Sequence, residues 1–152
     1  MISTRRAVQT DVNWLFQCCV DFAKFYGSKI SLAGNPEYGK QFLSMLVDKH
    51  YVLIGLKHNM AAGFIAGMIS PHHFNPNITQ MTELLWWVPE EHRNTGIGMK
   101  LFEEFLEYGN THCDWVTMTL EANSPVKDTF LLKRGFHLQE KAYLMECDKW
   151  QR

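Results

Sequence analysis

Trp86-Trp87-Val88-Pro89-Glu90-Glu91-His92-Arg93-Asn94-Thr95-Gly96-Ile97-Gly98-Met99-Lys100-Leu101 is the stretch whose reading decides the fold. An aromatic and β-branched run stops at a proline, a short polar bend follows, and Arg-x-x-Gly-x-Gly passes straight into a helical pattern. Two glycines where a strand hands over to a helix let backbone N–H groups approach a ligand with no Cβ in the way. The first helical turn adds N–H donors that lack intrahelical acceptors, and the positive end of the helix dipole. These are the requirements for holding a pyrophosphate. Two other phosphate-binding readings fail on their own terms. A P-loop ends in Gly-Lys-Ser or Gly-Lys-Thr, whereas Met99 follows Gly98. A dinucleotide-binding fold carries three spaced glycines near the first strand and an acidic residue about 20 positions on. Here the bend lies past mid-chain, after a hairpin pattern, and a basic residue opens it.

Working outward, Gln80 to Val88 reads as the strand that feeds the bend. Before it, Tyr51–Leu56 and Ala62–Ile69 flank the turn Lys57-His58-Asn59-Met60, a hairpin signal. The loop from Pro71 to Asn77 is polar. Ile2 to Val8 reads as a first strand, with Thr10-Asp11 offering a cap to the helix that follows. From Asp11 to Tyr26, Val12, Leu15, Phe16, Cys19, Val20 and Ala23 recur at helical spacing, and Gly27 ends the pattern. Gly34, Asn35 and Pro36 lead to a second helix carrying Phe42, Leu43, Leu46 and Val47. Downstream of the glycines, Ile97, Leu101, Phe102, Phe105 and Leu106 mark the apolar face of a helix ending near Gly109. Trp115 to Leu120 reads as a strand. Pro125 opens a further helix after Asn123-Ser124, and Gly135 stops it behind Lys133 and Arg134. Phe136–Leu138 and Ala142–Cys147 read as closing strands. The order β-α-α-β-β-β-α-β-α-β-β is that of an α/β sandwich on a mixed sheet.

Composition bounds the function. At 152 residues the chain is expected to form one domain spanning 1–152, with enough apolar residues for a core. The formal net charge of −1 and the scattered Lys and Arg speak against nucleic acid. The apolar runs fall short of a membrane span, and Met1-Ile2-Ser3-Thr4-Arg5-Arg6 lacks the apolar core of a signal peptide, so a cytoplasmic protein is expected. Cys18 and Cys19 are adjacent and far from Cys113 and Cys147. Reduced, buried thiols are therefore the better reading than disulfides. Neither Cys/His ligand spacing nor the neighbours His72 and His73 make a metal site, so no metal is expected. The oligomeric state stays open, a homodimer among the options.

At this point the residues resemble the GNAT superfamily of N-acetyltransferases, which use acetyl-coenzyme A. Arg5 to Asp11 is similar to the opening strand and first helix cap. Val88 to Gly98 is similar to the pyrophosphate motif, the most specific of the three matches. Asn123 to Phe136 resembles the last helix, closing with Lys-Arg-Gly-Phe. The resemblance implies a mixed, mostly antiparallel central sheet with helices on both faces, splayed between the fourth and fifth strands. It implies that the backbone amides of Asn94, Thr95, Gly96, Ile97, Gly98 and Met99 cradle the pyrophosphate of acetyl-coenzyme A. Trp86, Trp87 and Val88 would pair their backbone with the pantetheine arm as an extra strand. One of their N–H groups would polarise the thioester carbonyl. Asn123 or Ser124 would hydrogen-bond the arm from the other side. Arg93, Lys100, Lys127, Lys133 and Arg134 are available for phosphates, although solvation at the surface is the usual role of such residues.

Amine acetylation needs a neutral amine and hence a base. Glu83 lies just before the apolar run Leu84 to Val88, where desolvation would raise its pKa into a useful range. The competing reading is an edge glutamate paired with a lysine. Glu121, at the end of the next strand, is a second candidate, against a capping or loop carboxylate. Many relatives carry a tyrosine general acid where this chain has Leu131. Tyr143 or a water would have to replace it, or the thiolate leaves without a dedicated acid. The acceptor pocket is expected between Phe25, Tyr26, Lys29 and Asn35 on one side and His72, His73 and Phe74 on the other. No strongly acidic wall in the sequence favours a polycation. Trp14, Trp86, Trp87, Trp115 and Trp150 read as core packing. The expected activity is transfer of an acetyl group from acetyl-coenzyme A to a small-molecule or peptide primary amine, by direct attack in a ternary complex. The alternative is a catalytically weak coenzyme A-binding regulatory or interaction module.

Overall fold

The computed structural model describes residues 1–27 and 35–148. The first strand, β1 (Ile2–Arg6), leads through a tight turn to helix α1 (Val12–Phe25). Asp11 does not cap α1 forward. Its carboxylate accepts the Val8 N–H at 2.8 Å and a two-pronged ion pair from Arg5 at 2.7 and 2.9 Å. Helix α2 (Pro36–Lys49) starts as its sequence dictates: Pro36 has the helical φ built in, and the Asn35 side chain accepts the Tyr38 N–H at 3.1 Å. Strands β2 (Tyr51–Lys57) and β3 (Met60–Pro71) form the expected hairpin. His58 and Asn59 take positive φ of 51° and 64°, the two-residue turn whose twist matches paired strands. Strand β4 (Thr79–Trp87) feeds the glycine bend, α3 (Ile97–His112) crosses over, and β5 (Trp115–Thr117) returns parallel to β4.

The sheet order is β1-β2-β3-β4-β5, antiparallel except at the last pair. Helices α1 and α2 cover one face, where Leu15, Cys18, Cys19, Leu43 and Leu46 pack on Val52, Ile54, Phe64 and Trp87. Helix α3 covers the other, where Ile97, Leu101 and Phe105 pack on Tyr51, Leu53, Ile65 and Met81. Alternate residues of the continuous apolar run Tyr51–Ile54 thus serve opposite faces. The fold class expected from sequence holds: a mixed, mostly antiparallel sheet with helices on both faces.

Several boundaries differ from expectation. Helix α3 runs through Gly109 to His112. A Cβ at Gly109 would lie 2.4 Å from Val116 Cγ2, so this glycine lets the helix approach β5 and is no terminator. Strand β5 stops at Thr117 instead of Leu120. By contact density the chain divides into Met1–Glu121 and Ala122–Arg152. In the second unit, the helix expected from Pro125 shrinks to α4 (Asp128–Leu132). Ser124 Oγ accepts the Val126 N–H at 3.1 Å, which holds the start of that segment in a local turn. Gly135, at φ 91°, does stop the helix, and the Phe136 N–H reaches back to the Leu131 carbonyl at 3.3 Å. The closing strands expected at Phe136–Leu138 and Ala142–Cys147 are not formed, because no ladder takes up their backbone. Leu138, Tyr143, Leu144 and Met145 are exposed.

The four cysteines are free. Cys18 and Cys19 are buried, and burial pushes both thiols up to about 12, whereas Cys147 is exposed against expectation. Among the described residues no helix is long and apolar enough to cross a membrane.

Candidate active site

The glycine bend is built by two left-handed residues. Asn94 has φ 61° and Gly96 φ 89°, the latter capping α3. The Thr95 hydroxyl donates to the His92 carbonyl at 2.5 Å and tightens the turn. The Lys100 N–H donates to the Gly96 carbonyl at 3.0 Å as α3 begins. Helix geometry provides no intrahelical acceptor for the N–H groups before it. The two glycines have different reasons to be there. Gly96 is required by its φ. Gly98 is not required by packing: a Cβ there would meet Val88 Cγ2 at 3.5 Å and Trp86 Nε1 at 4.0 Å, ordinary contacts. A position where the fold tolerates a Cβ, at the mouth of an N-terminal helix turn, fits close approach of a phosphate ester.

Upstream, β4 carries a bulge. Ala66 lies opposite Leu85 and Gly67 opposite Glu83, which leaves Leu84 without a partner. The extra residue resets the alternation. Met81 packs on the α3 side, whereas Leu85 and Trp87 turn to the α1–α2 side and Trp86 and Val88 to the α3 side. The adjacent tryptophans face opposite sides by ordinary alternation, and the bulge sets which side each takes. Trp86 stacks on Phe102 at 5.2 Å, and Trp87 meets Phe22 and Phe25 at 5.7 and 5.5 Å.

Pairing of β4 with β5 covers only Gln80–Thr82 against Trp115–Thr117. From Glu83 to Trp87 no strand of the described residues pairs with that edge of β4. Past the end of β5 the Thr119 N–H donates to the Glu83 carboxylate at 3.3 Å. Glu83 is 5% exposed. Burial pushes its carboxyl up to about 7, the Thr119 N–H opposes that rise, and the charge of Glu121 adds to it. Glu121 itself is exposed. The sequence singled out both carboxylates, but Thr119 carried no signal, because its role comes from a backbone N–H.

Arg93 is held against the opposite face. Its Nε donates to the Val88 carbonyl at 2.9 Å, and its guanidinium lies 4.5 Å from the Phe25 ring centroid and 4.8 Å from that of Trp87. Phe25 thus stands beside the C-terminal end of β4. His72, His73 and Phe74 do not join it. The His72 ring lies 5.1 Å from Trp115, which pairs with Gln80 at the start of β4, so among the described residues His72 and Phe25 stand at opposite ends of that strand. Asn35 is occupied as the cap of α2, Tyr26 packs on Phe22 at 4.7 Å, and Lys29 lies outside the described residues. Trp115 is 45% exposed, not core, and Trp150 is also outside the described residues. Asn123, Ser124 and Tyr143 belong to the Ala122–Arg152 unit, where Asn123 and Tyr143 are exposed and Ser124 is half-buried. Lys100 pairs with Glu104 at 3.2 Å.

Solved structures share this architecture across the chain. A GCN5-related N-acetyltransferase from Ralstonia eutropha superposes with a TM-score of 0.76 at 14% identity, covering 96% of this chain and 99% of that one. The fold is that of the GCN5-related N-acetyltransferases. A predicted acetyltransferase from Clostridium acetobutylicum with acetyl-CoA gives a TM-score of 0.72 at 15% identity, covering 100% of this chain and 99% of that one. A transcriptional regulator from Bacillus halodurans gives 0.77 at 14% identity, covering 97% of this chain and 100% of that one. No protein-family model matches the sequence, and no curated protein matches it. Among the three comparisons, the likeness therefore comes from the solved structures alone.

Proposed function

We propose that the protein is an N-acetyltransferase that moves the acetyl group of acetyl-coenzyme A to a primary amine by direct attack in a ternary complex. The observation that carries this reading is the buried Glu83 carboxyl at the point where β4 and β5 part, next to an unpaired strand edge that runs into the glycine bend. The backbone of Asn94 to Met99 would hold the pyrophosphate, and Trp86 to Val88 would hydrogen-bond the pantetheine arm as an added strand. A backbone N–H of the same run would face the thioester carbonyl oxygen. Bound acetyl-coenzyme A supplies an activated acetyl: the C–N bond forms at its thioester carbon as the C–S bond breaks and the sulfur leaves as thiolate. Glu83, with a carboxyl pushed up to about 7, takes one proton from the acceptor ammonium near neutral pH. Glu121 adds negative charge that strengthens Glu83 as a base. The nitrogen loses its second proton as the amide forms, and water passes a proton to the thiolate, since Leu131 offers none.

A second reading, a coenzyme A-binding module without useful turnover, is favoured by Leu131 and by the regulator among the structural neighbours. Calorimetry and a thiol-release assay separate the two. Acetyl-coenzyme A should bind, and Gly98→Glu should abolish binding. Absence of binding at high micromolar cofactor refutes both readings. Binding without thiol release on any amine or peptide refutes the enzyme and leaves the module.

A further inference from the structure

Between α1 and the loop that follows β4 lies a cleft of about 460 Å³, within the roughly 300–1,000 Å³ of small-molecule sites. Trp14 and Phe25 of α1 and Trp87 of β4 give it aromatic walls. Its rim carries charges of both signs: Asp21, Glu90 and Glu91 against Lys24 and Arg93. Among the described residues no ion pair joins these five, and the ion pairs present link Arg5 to Asp11 and Lys100 to Glu104. Asp21 instead accepts from Gln17 at 3.1 Å. The negative charges of Asp21 and Glu91 both act on Cys18, which lines the same cleft, so carboxylates far apart in sequence bear on one place. Arg93 is fixed by Val88, Phe25 and Trp87, which leaves its guanidinium oriented before any ligand arrives. The indole N–H of Trp87 is buried with no acceptor among the described residues.

A cleft lined by a single sign of charge would suit a polycation or a polyanion. Opposite charges held apart around aromatic rings suit a zwitterion with an apolar body.

We propose that the cleft binds a free α-amino acid with an aromatic or long apolar side chain. Its ammonium faces Asp21 and Glu91, its carboxylate faces Lys24 and Arg93, and its side chain lies along Trp14 and Trp87. Glu83 does not line this cleft, so the inference stands apart from the acetyl-transfer reading.

The test uses three probes that share one ring: L-phenylalanine, phenylalaninamide and phenethylamine. Each is titrated calorimetrically into the full chain saturated with coenzyme A, so that binding is read without turnover. L-Phenylalanine should bind about tenfold or more tightly than the other two, as a charge-assisted contact to a carboxylate requires. Lys24→Gln should bring L-phenylalanine down to the level of the amide while leaving the amide and coenzyme A unchanged. Asp21→Asn should weaken all three probes. Both positions are exposed on α1, so unchanged melting temperatures are expected. Equal affinity for the three probes, no binding of any, or no effect of Lys24→Gln overturns the proposal while the cofactor reading stands. Failure of coenzyme A itself to bind overturns the acetyl-transfer reading and not this proposal, which the three probes decide.

Discussion

Replacing Glu83 by glutamine keeps the side-chain shape and an oxygen for the Thr119 N–H but removes a proton that the folded chain holds more tightly than the unfolded one. The carboxyl rises from 4.5 to about 7 on folding, chiefly through burial. At ~1.4 kcal/mol per unit, that rise corresponds to several kcal/mol, of order 3, that the wild type loses when the group must ionise in its buried setting. The sign follows from proton counting. Below the unfolded value both states hold the proton and Glu83 does not affect stability. Between the two values the folded state holds more protons than the unfolded one, so stability falls as pH rises. Above the folded value the full loss has been incurred. Urea unfolding of wild type and Glu83→Gln from about pH 4 to about pH 8 should therefore show a widening gap, with the variant gaining by several kcal/mol at the upper end. Carboxylates common to both proteins, such as Asp11, cancel in the difference. A gap that stays flat across this range refutes the burial argument, and with it the reason for choosing Glu83 as the base.

Three further outcomes follow from the same geometry. Glu83→Gln should lower turnover by about 10²–10⁴-fold with acetyl-coenzyme A affinity retained, and the wild-type rate should fall below about pH 7 as the base protonates; a pH–rate profile unchanged by the substitution moves the base elsewhere. Gly98→Ala should leave the melting temperature in place and weaken coenzyme A binding, whereas Gly96→Ala should lose roughly 1–2 kcal/mol of stability at its left-handed φ; paired calorimetry and thermal melts distinguish them, and equal effects of the two would contradict the separate roles assigned to these glycines. Gly109→Val should destabilise the fold by about 1–3 kcal/mol or more, because even a Cβ would stand 2.4 Å from Val116; an unaltered unfolding midpoint would show that α3 does not depend on this close approach.

Much of the fold was legible because it is local. Helical spacing in Val12 to Ala23 and in Ile97 to Phe105, the hairpin turn at His58-Asn59, and the cap at Asn35-Pro36 each record a backbone preference within a few residues. The glycine bend was legible for the same reason: positive φ at Gly96 and the N-terminal turn of α3 depend on their own chain neighbours. Misread boundaries share one feature, dependence on distant contacts. Gly109 looked like a stop but is a packing contact with Val116, and the apolar stretches after Gly135 looked like strands but found no ladder.

By itself, then, the sequence determined the two-sided sheet, the order of its helices and strands up to α4, and the glycine bend between β4 and α3. Only the tertiary structure decided what surrounds that bend. The bulge at Leu84 decided that Trp87 faces α1 and α2 and Trp86 faces α3, and past the end of β5 the Thr119 N–H meets Glu83. Packing of α1 against the end of β4 brought Asp21 and Lys24 to the same cleft as Glu90, Glu91 and Arg93. The physical reason is that backbone preference is set by neighbours along the chain. Desolvation of a carboxyl and the meeting of unlike charges are set by neighbours in space, which no local pattern encodes.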